Sequence, residues 1–257
     1  MSYERTMRYD QHPVAPSQQN HVPRLSVAGL QVRYGEAVAL NGLSLAVQDG
    51  ESVAIMGPSG SGKTTLLHAL AGIIRPDDGT VALRTLDGQG RSQIVRVDEL
   101  SDAARSDLRL REFGFVFQQG MLIPELTAME NVMMPLLLTG VTKSEANSRA
   151  GQLLQELGMT GLEQRRIGQL SGGQAQRVAI ARARATQAQV VFADEPTGAL
   201  DSRTAADVLA LLLRSTSEQG RALVMVTHDK DVAAACSRVV RLRDGQIVKQ
   251  IPDSQAD

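Results

Sequence analysis

The residues most able to do chemistry begin at Gly57-Pro58-Ser59-Gly60-Ser61-Gly62-Lys63-Thr64, followed by Thr65. They stand after the short apolar run Ser52-Val53-Ala54-Ile55-Met56 and open a breaker-free stretch that ends at Gly72. That order reads as strand, glycine-rich turn and helix. The glycines let successive N–H groups point into one concavity, and the helix adds the positive end of its dipole. Such a cradle holds a polyphosphate, with Lys63 reaching the β- and γ-phosphates and the Thr64 hydroxyl coordinating Mg²⁺.

A Mg²⁺–phosphate site needs a carboxylate facing the cradle from the end of another apolar strand. Val190-Val191-Phe192-Ala193-Asp194-Glu195 offers one. Asp194 fits a metal-side role through a water, and Glu195, one residue on, is free to polarise an attacking water.

These residues need a scaffold, and the chain is long enough to supply one: 257 residues, against roughly 150 for a typical domain. Hydrophobic residues make up 42% and charged residues 21%, which excludes disorder over most of the chain. Lys and Arg total 27 against 28 Asp and Glu, so the basic excess of a nucleic-acid binder is missing. The longest apolar stretch, residues 132–138, is interrupted by Pro135 and falls far short of the roughly 20 residues of a membrane-spanning helix. The first 21 residues lack an apolar segment of the secretory kind, and one cysteine, Cys236, makes neither an internal disulfide nor a cysteine cluster. The expectation is a reducing, cytoplasmic address.

Residues 1–22 read as a mobile polar tail, and residues 23–257 as one domain. Strands are expected at 25–30, 38–47, 52–56, 80–85, 93–97, 113–117, 190–193 and 222–226, with a terminal hairpin turning at Asp244-Gly245. Helices are expected at 63–71, 202–218 and 230–235, and residues 127–186 read as mostly helical, broken at Pro135, Gly140 and Gly158. Alternating strands and helices imply an α/β core with a mostly parallel sheet. The helical stretch, about 120–186, reads as a subdomain inserted into it.

Leu170-Ser171-Gly172-Gly173-Gln174 resembles the signature sequence of ATP-binding cassette (ABC) ATPases. The resemblance covers nearly all of residues 25–250, with the motifs in the family's order. It implies a P-loop NTPase core, an N-terminal antiparallel β subdomain and an α-helical subdomain carrying the signature. Tyr34 resembles the aromatic that stacks on adenine. Gln118, in Phe115-Val116-Phe117-Gln118, resembles the Q-loop glutamine that touches Mg²⁺ and the attacking water. Ala199-Leu200-Asp201 resembles the D-loop, and His228, in Val226-Thr227-His228-Asp229, the switch histidine at the γ-phosphate. The resemblance therefore assigns catalysis to Lys63, Gln118, Glu195 and His228, and Mg²⁺ binding to Thr64, Gln118 and Asp194. ATP contact falls to Tyr34, residues 57–65, Gln118, Ser171, Gly172, Gly173, Gln174, Asp194, Glu195, Asp201 and His228.

In this family the signature faces the nucleotide held by another subunit, so two cassettes sandwich two ATP molecules. The resemblance thus implies a homodimer, or a pair with a second cassette chain. The stretch from Leu122 to Val132, with Ala193-Asp194-Glu195-Pro196-Thr197-Gly198, is similar to the macrolide-exporter, lipoprotein-release, bacitracin-exporter and haem-exporter branch. That branch implies an ATPase held at the cytoplasmic face of the membrane by a permease whose helix docks near the Q-loop, driving export or extraction. A non-transport relative, signalling through a membrane partner to a cell-envelope enzyme, is the alternative. Met121, Met129, Met133 and Met134 suit either core packing or a groove for a partner helix. Gly168, Ala175 and Arg184 depart from common family residues, none at a phosphate-contacting position. Arg177, Arg182 and Arg184 read as polar contacts of a helix rather than a nucleic-acid surface.

Overall fold

The computed structural model describes residues 22–118 and 120–252. Apart from Val22, the expected tail at 1–22 lies outside the described residues. The first half of the chain forms β1 (Leu25–Tyr34), β2 (Ala37–Val47), β3 (Ser52–Met56), α1 (Lys63–Leu70), β4 (Asp78–Leu86), β5 (Ser92–Arg96), α2 (Asp102–Glu112) and β6 (Phe113–Phe117). The second half forms α3 (Ala128–Leu138), α4 (Lys143–Glu156), α5 (Gly172–Arg184), β7 (Val190–Asp194), α6 (Ser202–Ser215), β8 (Ala222–Val226), α7 (Lys230–Ala234), β9 (Arg238–Arg243) and β10 (Gln246–Pro252).

Two sheets result. One is antiparallel, in the order β2-β1-β4-β5; the other has six strands in the order β10-β9-β3-β8-β7-β6. In the second sheet β9, β3, β8, β7 and β6 run parallel, and β10 closes the edge antiparallel to β9. Strands buried on both faces send alternate residues into two cores. Val53, Ile55, Val190, Phe192, Val224 and Val226 join a cluster with the antiparallel sheet and α1. Ala54, Val191, Ala193, Leu223 and Met225 join another with α3, α4, α5 and α6.

Three sequence expectations change. Residues 102–112, read only as a gap between strands, form α2. Its apolar face is thin, so periodicity did not reveal it, but Ser101 caps it, its side chain accepting from the Ala104 N–H at 3.3 Å. Pro135 does not break its helix; α3 runs through it to Leu138. Val132, Met133 and Leu136 are buried on either side of the proline, and this packing outweighs the propensity cost. The helix expected over 202–218 ends at Ser215 and is followed by a 3₁₀ turn, Ser217–Gln219.

Candidate active site

Parallel register gathers most of the predicted residues at one end of the six-stranded sheet. Ile55 lies opposite Val226, Val226 opposite Asp194, and Asp194 opposite Phe117. The residues that follow are therefore neighbours: the loop from Gly57 after β3, His228 after β8, Glu195 after β7 and Gln118 after β6. Open α/β sheets bind ligands at these carboxyl ends.

The loop from Gly57 to Gly62 is shaped by what surrounds it. A Cβ on Gly57 would lie 2.2 Å from the Leu242 carbonyl oxygen, so only glycine lets the loop pass β9 this closely. Gly62 starts α1 at φ 95, a left-handed conformation, and no side chain caps that helix end. Lys63 folds over the loop, its Nζ donating to the carbonyls of Gly57 at 2.9 Å and Pro58 at 2.8 Å. Thr64 is exposed on the first turn of α1, with Thr65 beside it.

Opposite the loop, Asp194 is partly buried. Burial, and then the charge of adjacent Glu195, hold its carboxyl above the usual range against the opposing influence of His68 and Lys63. Glu195 takes φ 47, a left-handed backbone seldom adopted by a side-chain-bearing residue. Two bonds impose it: the Glu195 N–H donates to Val226 O at 2.9 Å, and Gly198 N–H donates to Glu195 O at 3.1 Å. The Glu195 carboxylate meets His228 Nδ1 at 2.8 Å. That hydrogen bond raises the His228 pKa above its ordinary value although the ring is exposed. The Gln118 amide lies over the same turn, since a Cβ on Gly198 would fall 3.0 Å from its Nε2.

Tyr34 is 56% exposed at the end of β1, paired with Ala37. The same hairpin leans on the loop: a Cβ on Gly62 would lie 2.5 Å from Ala39 O. Tyr34 therefore belongs to the hairpin that touches the loop.

The signature residues lie elsewhere. Ser171 caps α5, its hydroxyl accepting from Gln174 N at 3.3 Å while Gln174 Oε1 accepts from Ser171 N at 2.9 Å. Behind them, Gly172 and Gly173 pack on Leu200 and Thr204 at the start of α6, the helix capped by Asp201. Asp201 is held below the usual carboxyl range by its hydrogen bonds with Thr204.

Of the residues that brace the Gln118 loop, sequence reasoning passed over Gln176 and Asn131, while Arg182 makes the polar helix contacts expected of it. Gln176, 3% exposed, donates from Nε2 to Phe117 O at 2.9 Å. Arg182 donates to Gly120 O at 2.8 Å and Met121 O at 2.6 Å, so α5 and this loop are bolted together. Asn131, 1% exposed, accepts from Ile123 N and donates to the carbonyls of Ile123 and Thr127. Their one visible signal was a polar residue within an otherwise apolar helix face. Arg177 and Arg184 also serve as helix contacts, to Leu157 O and Glu156.

Comparison with known proteins gives consistent matches. A family model described as ABC transporter matches residues 40–198. The chain is 44% identical over 208 residues to the lipoprotein-releasing system ATP-binding protein LolD of Legionella pneumophila, spanning 81% of this chain and 88% of that protein. It is 44% identical over 232 residues to the pyoverdine export ATP-binding/permease protein PvdT of Pseudomonas aeruginosa, spanning 88% of this chain but 34% of that protein. Among solved structures, a dimeric ATP-binding cassette in a post-hydrolysis state with ADP and Pi superposes with a TM-score of 0.76. It is 36% identical, and the match covers 89% of this chain and 98% of that one.

Proposed function

The chain belongs to the ABC transporter family, and from that premise we propose an ATP-hydrolysing subunit that dimerises around two ATP molecules and drives a separate membrane permease. One observation carries the reading: four parallel strands end together and deliver residues 57–64, Gln118, Asp194–Glu195 and His228 to one place. The output is export of a substrate, or its extraction from the membrane, as the names of the lipoprotein-releasing and pyoverdine-export relatives suggest.

The N–H groups of the loop and the open end of α1 cradle the phosphates. Lys63 exchanges its bonds with Gly57 and Pro58 for phosphate oxygens, a charge-assisted gain. Tyr34 supplies an aromatic face to the base. The Thr64 hydroxyl, Gln118 amide oxygen and Asp194 carboxylate form an all-oxygen donor set of the hard kind that suits Mg²⁺. Asp194 in particular, crowded by burial and by Glu195, favours a neighbouring cation. Bound there, Mg²⁺ supplies charge neutralisation for the phosphates.

Glu195 accepts the proton of the attacking water, and His228 holds its carboxylate in place from Nδ1. Ser171, Gly172, Gly173 and Gln174 lie on a separate helix start, turned to α6 within their own chain. They serve the nucleotide of a second subunit, beside its partner's Asp201 segment.

Among the described residues no helix is long and apolar enough to cross a membrane. We place the chain at the cytoplasmic face, held by the permease. The docking surface is a cavity of about 400 Å³ beside the Gln118 loop, lined by Phe115, Phe117 and Met121 among others. Here the methionines divide: Met129 and Met133 are buried in the core, whereas Met121 is 65% exposed at the cavity.

Glu195→Gln tests the chemistry. It keeps the shape but removes the base, so turnover should fall roughly 10²–10⁴-fold in a phosphate-release assay. With ATP and Mg²⁺ the variant should accumulate as a dimer in light scattering, and adding Ser171→Arg should abolish that dimer. A Glu195→Gln protein that stays monomeric at saturating ATP, with the permease present, would sink the sandwich.

A further inference from the structure

The cavity beside the Gln118 loop is apolar at its floor yet carries two guanidinium groups in its walls. Leu110, Phe115, Phe117 and Met121 supply the apolar surface, with Arg109 from α2 and Arg182 from α5 beside them. Arg182 donates to the carbonyls of Gly120 and Met121, and Arg109 to the Gly72 carbonyl at 2.6 Å and the Ser106 hydroxyl at 2.7 Å. These are neutral acceptors. A guanidinium has five N–H donors, so both groups keep donors free for a further acceptor.

Their neighbours on the same helices differ. Arg105 pairs with Asp102, Arg111 with Asp107 and Arg184 with Glu156. Among the described residues, Arg109 and Arg182 have no carboxylate at ion-pair distance. Burial depresses the pKa of both; for Arg109 the nearby Arg105 charge adds to it, and the Asp102 charge offsets only part of it. A partly buried cation with no anion in direct contact is costly to hold, and a carboxylate entering the cavity offsets that cost.

We propose that the cavity's occupant is a partner helix with an apolar face interrupted by one acidic side chain, its carboxylate lying between Arg109 and Arg182. This rests on the reading of the cavity as the permease dock and adds the chemistry by which that dock selects its partner. The apolar floor supplies area, and the two forks supply orientation, because a carboxylate accepts a guanidinium in a defined plane. Arg182 also holds Gly120 and Met121, and Gly120 follows Gln118 by two residues in the chain. Docking and the position of Gln118 are thereby linked through a single side chain.

The test uses the purified full chain and two stapled amphipathic helices of about four turns, identical except for a central Glu or Gln on the leucine face. Binding is read by fluorescence anisotropy at low and high salt. The Glu helix should bind about tenfold tighter than the Gln helix at low salt, and the advantage should shrink at high salt. Arg109→Gln should reduce that advantage to about twofold. Arg182→Lys should weaken it while keeping the charge. Equal binding of both helices, or a Glu advantage that survives Arg109→Gln, would overturn the acidic match and leave the dock standing. Binding of neither helix would overturn both. Loss of the chain's own ATP-driven dimer in Arg109→Gln, with helix binding unchanged, would give the cavity to a second copy and refute the proposal.

Discussion

Two helix starts in this molecule are glycine-rich, and they are finished in opposite ways. Helix α1 begins at Gly62 with no side-chain cap, and its Lys63 is tied only to loop carbonyls. Helix α5 begins at Ser171 with a complete capping box closed by Gln174. The first leaves N–H donors for an acceptor from outside the chain. The second satisfies part of its own need, so an anion gains less by arriving there. An open helix start and a self-capped one fit the proposed division between a nucleotide held by one subunit and met by another.

The largest break in this comparison should come from Lys63→Ala. Each charge-assisted hydrogen bond is worth about 1.5–3 kcal/mol, so ATP should bind at least tenfold more weakly in a fluorescent-nucleotide titration. Affinity within twofold of the parent would mean that the uncapped start of α1 holds the phosphates by backbone alone.

Next in size is Gly173→Ala. Its Cβ would lie 2.4 Å from Thr204 Cγ2, an overpacking that should cost about 1–3 kcal/mol in urea unfolding. Thr204→Ser removes that methyl and should restore most of the loss; no restoration would place the strain elsewhere.

Ser171→Ala sharpens the contrast at smaller scale. Losing the cap should cost about 1 kcal/mol of stability, while ATP affinity of the single chain stays as in the parent. A change in that affinity would join two helix starts that are separate here.

The smallest effect belongs to His228. Its pKa is raised by the bond to Glu195, so the folded chain holds this proton more tightly than the unfolded chain does. The resulting stabilisation is complete below the ordinary value of 6.5 and fades as pH rises through the folded one. Because the side chain is 74% exposed, solvent screens most of it. His228→Gln should flatten the difference in urea midpoint between pH 6 and pH 8. An unchanged difference would show that other groups carry it.

The phosphate loop, the acidic strand end and the alternation of strands and helices were legible because each is local. Glycine spacing, a breaker-free run and an apolar run leave marks within a dozen residues. Helix α2 left few such marks: Arg105 is its one buried residue. Pro135 was misleading for the complementary reason, since propensity is local and the burial that overrides it comes from α4 and α5.

The sequence by itself determined which groups could handle a phosphate, a metal and a water, and that their carriers belong to an α/β chain. Tertiary structure alone decided which of them meet. Register between parallel strands set Gln118, Glu195 and His228 side by side across more than a hundred residues of chain. Tertiary packing also set Glu195 at φ 47, divided Met121 from Met129 and Met133, and, among the described residues, left Arg109 and Arg182 with no carboxylate at ion-pair distance. Residue types and spacing carry the chemistry of single groups, whereas distance, burial and charge balance arise only when remote segments share one space.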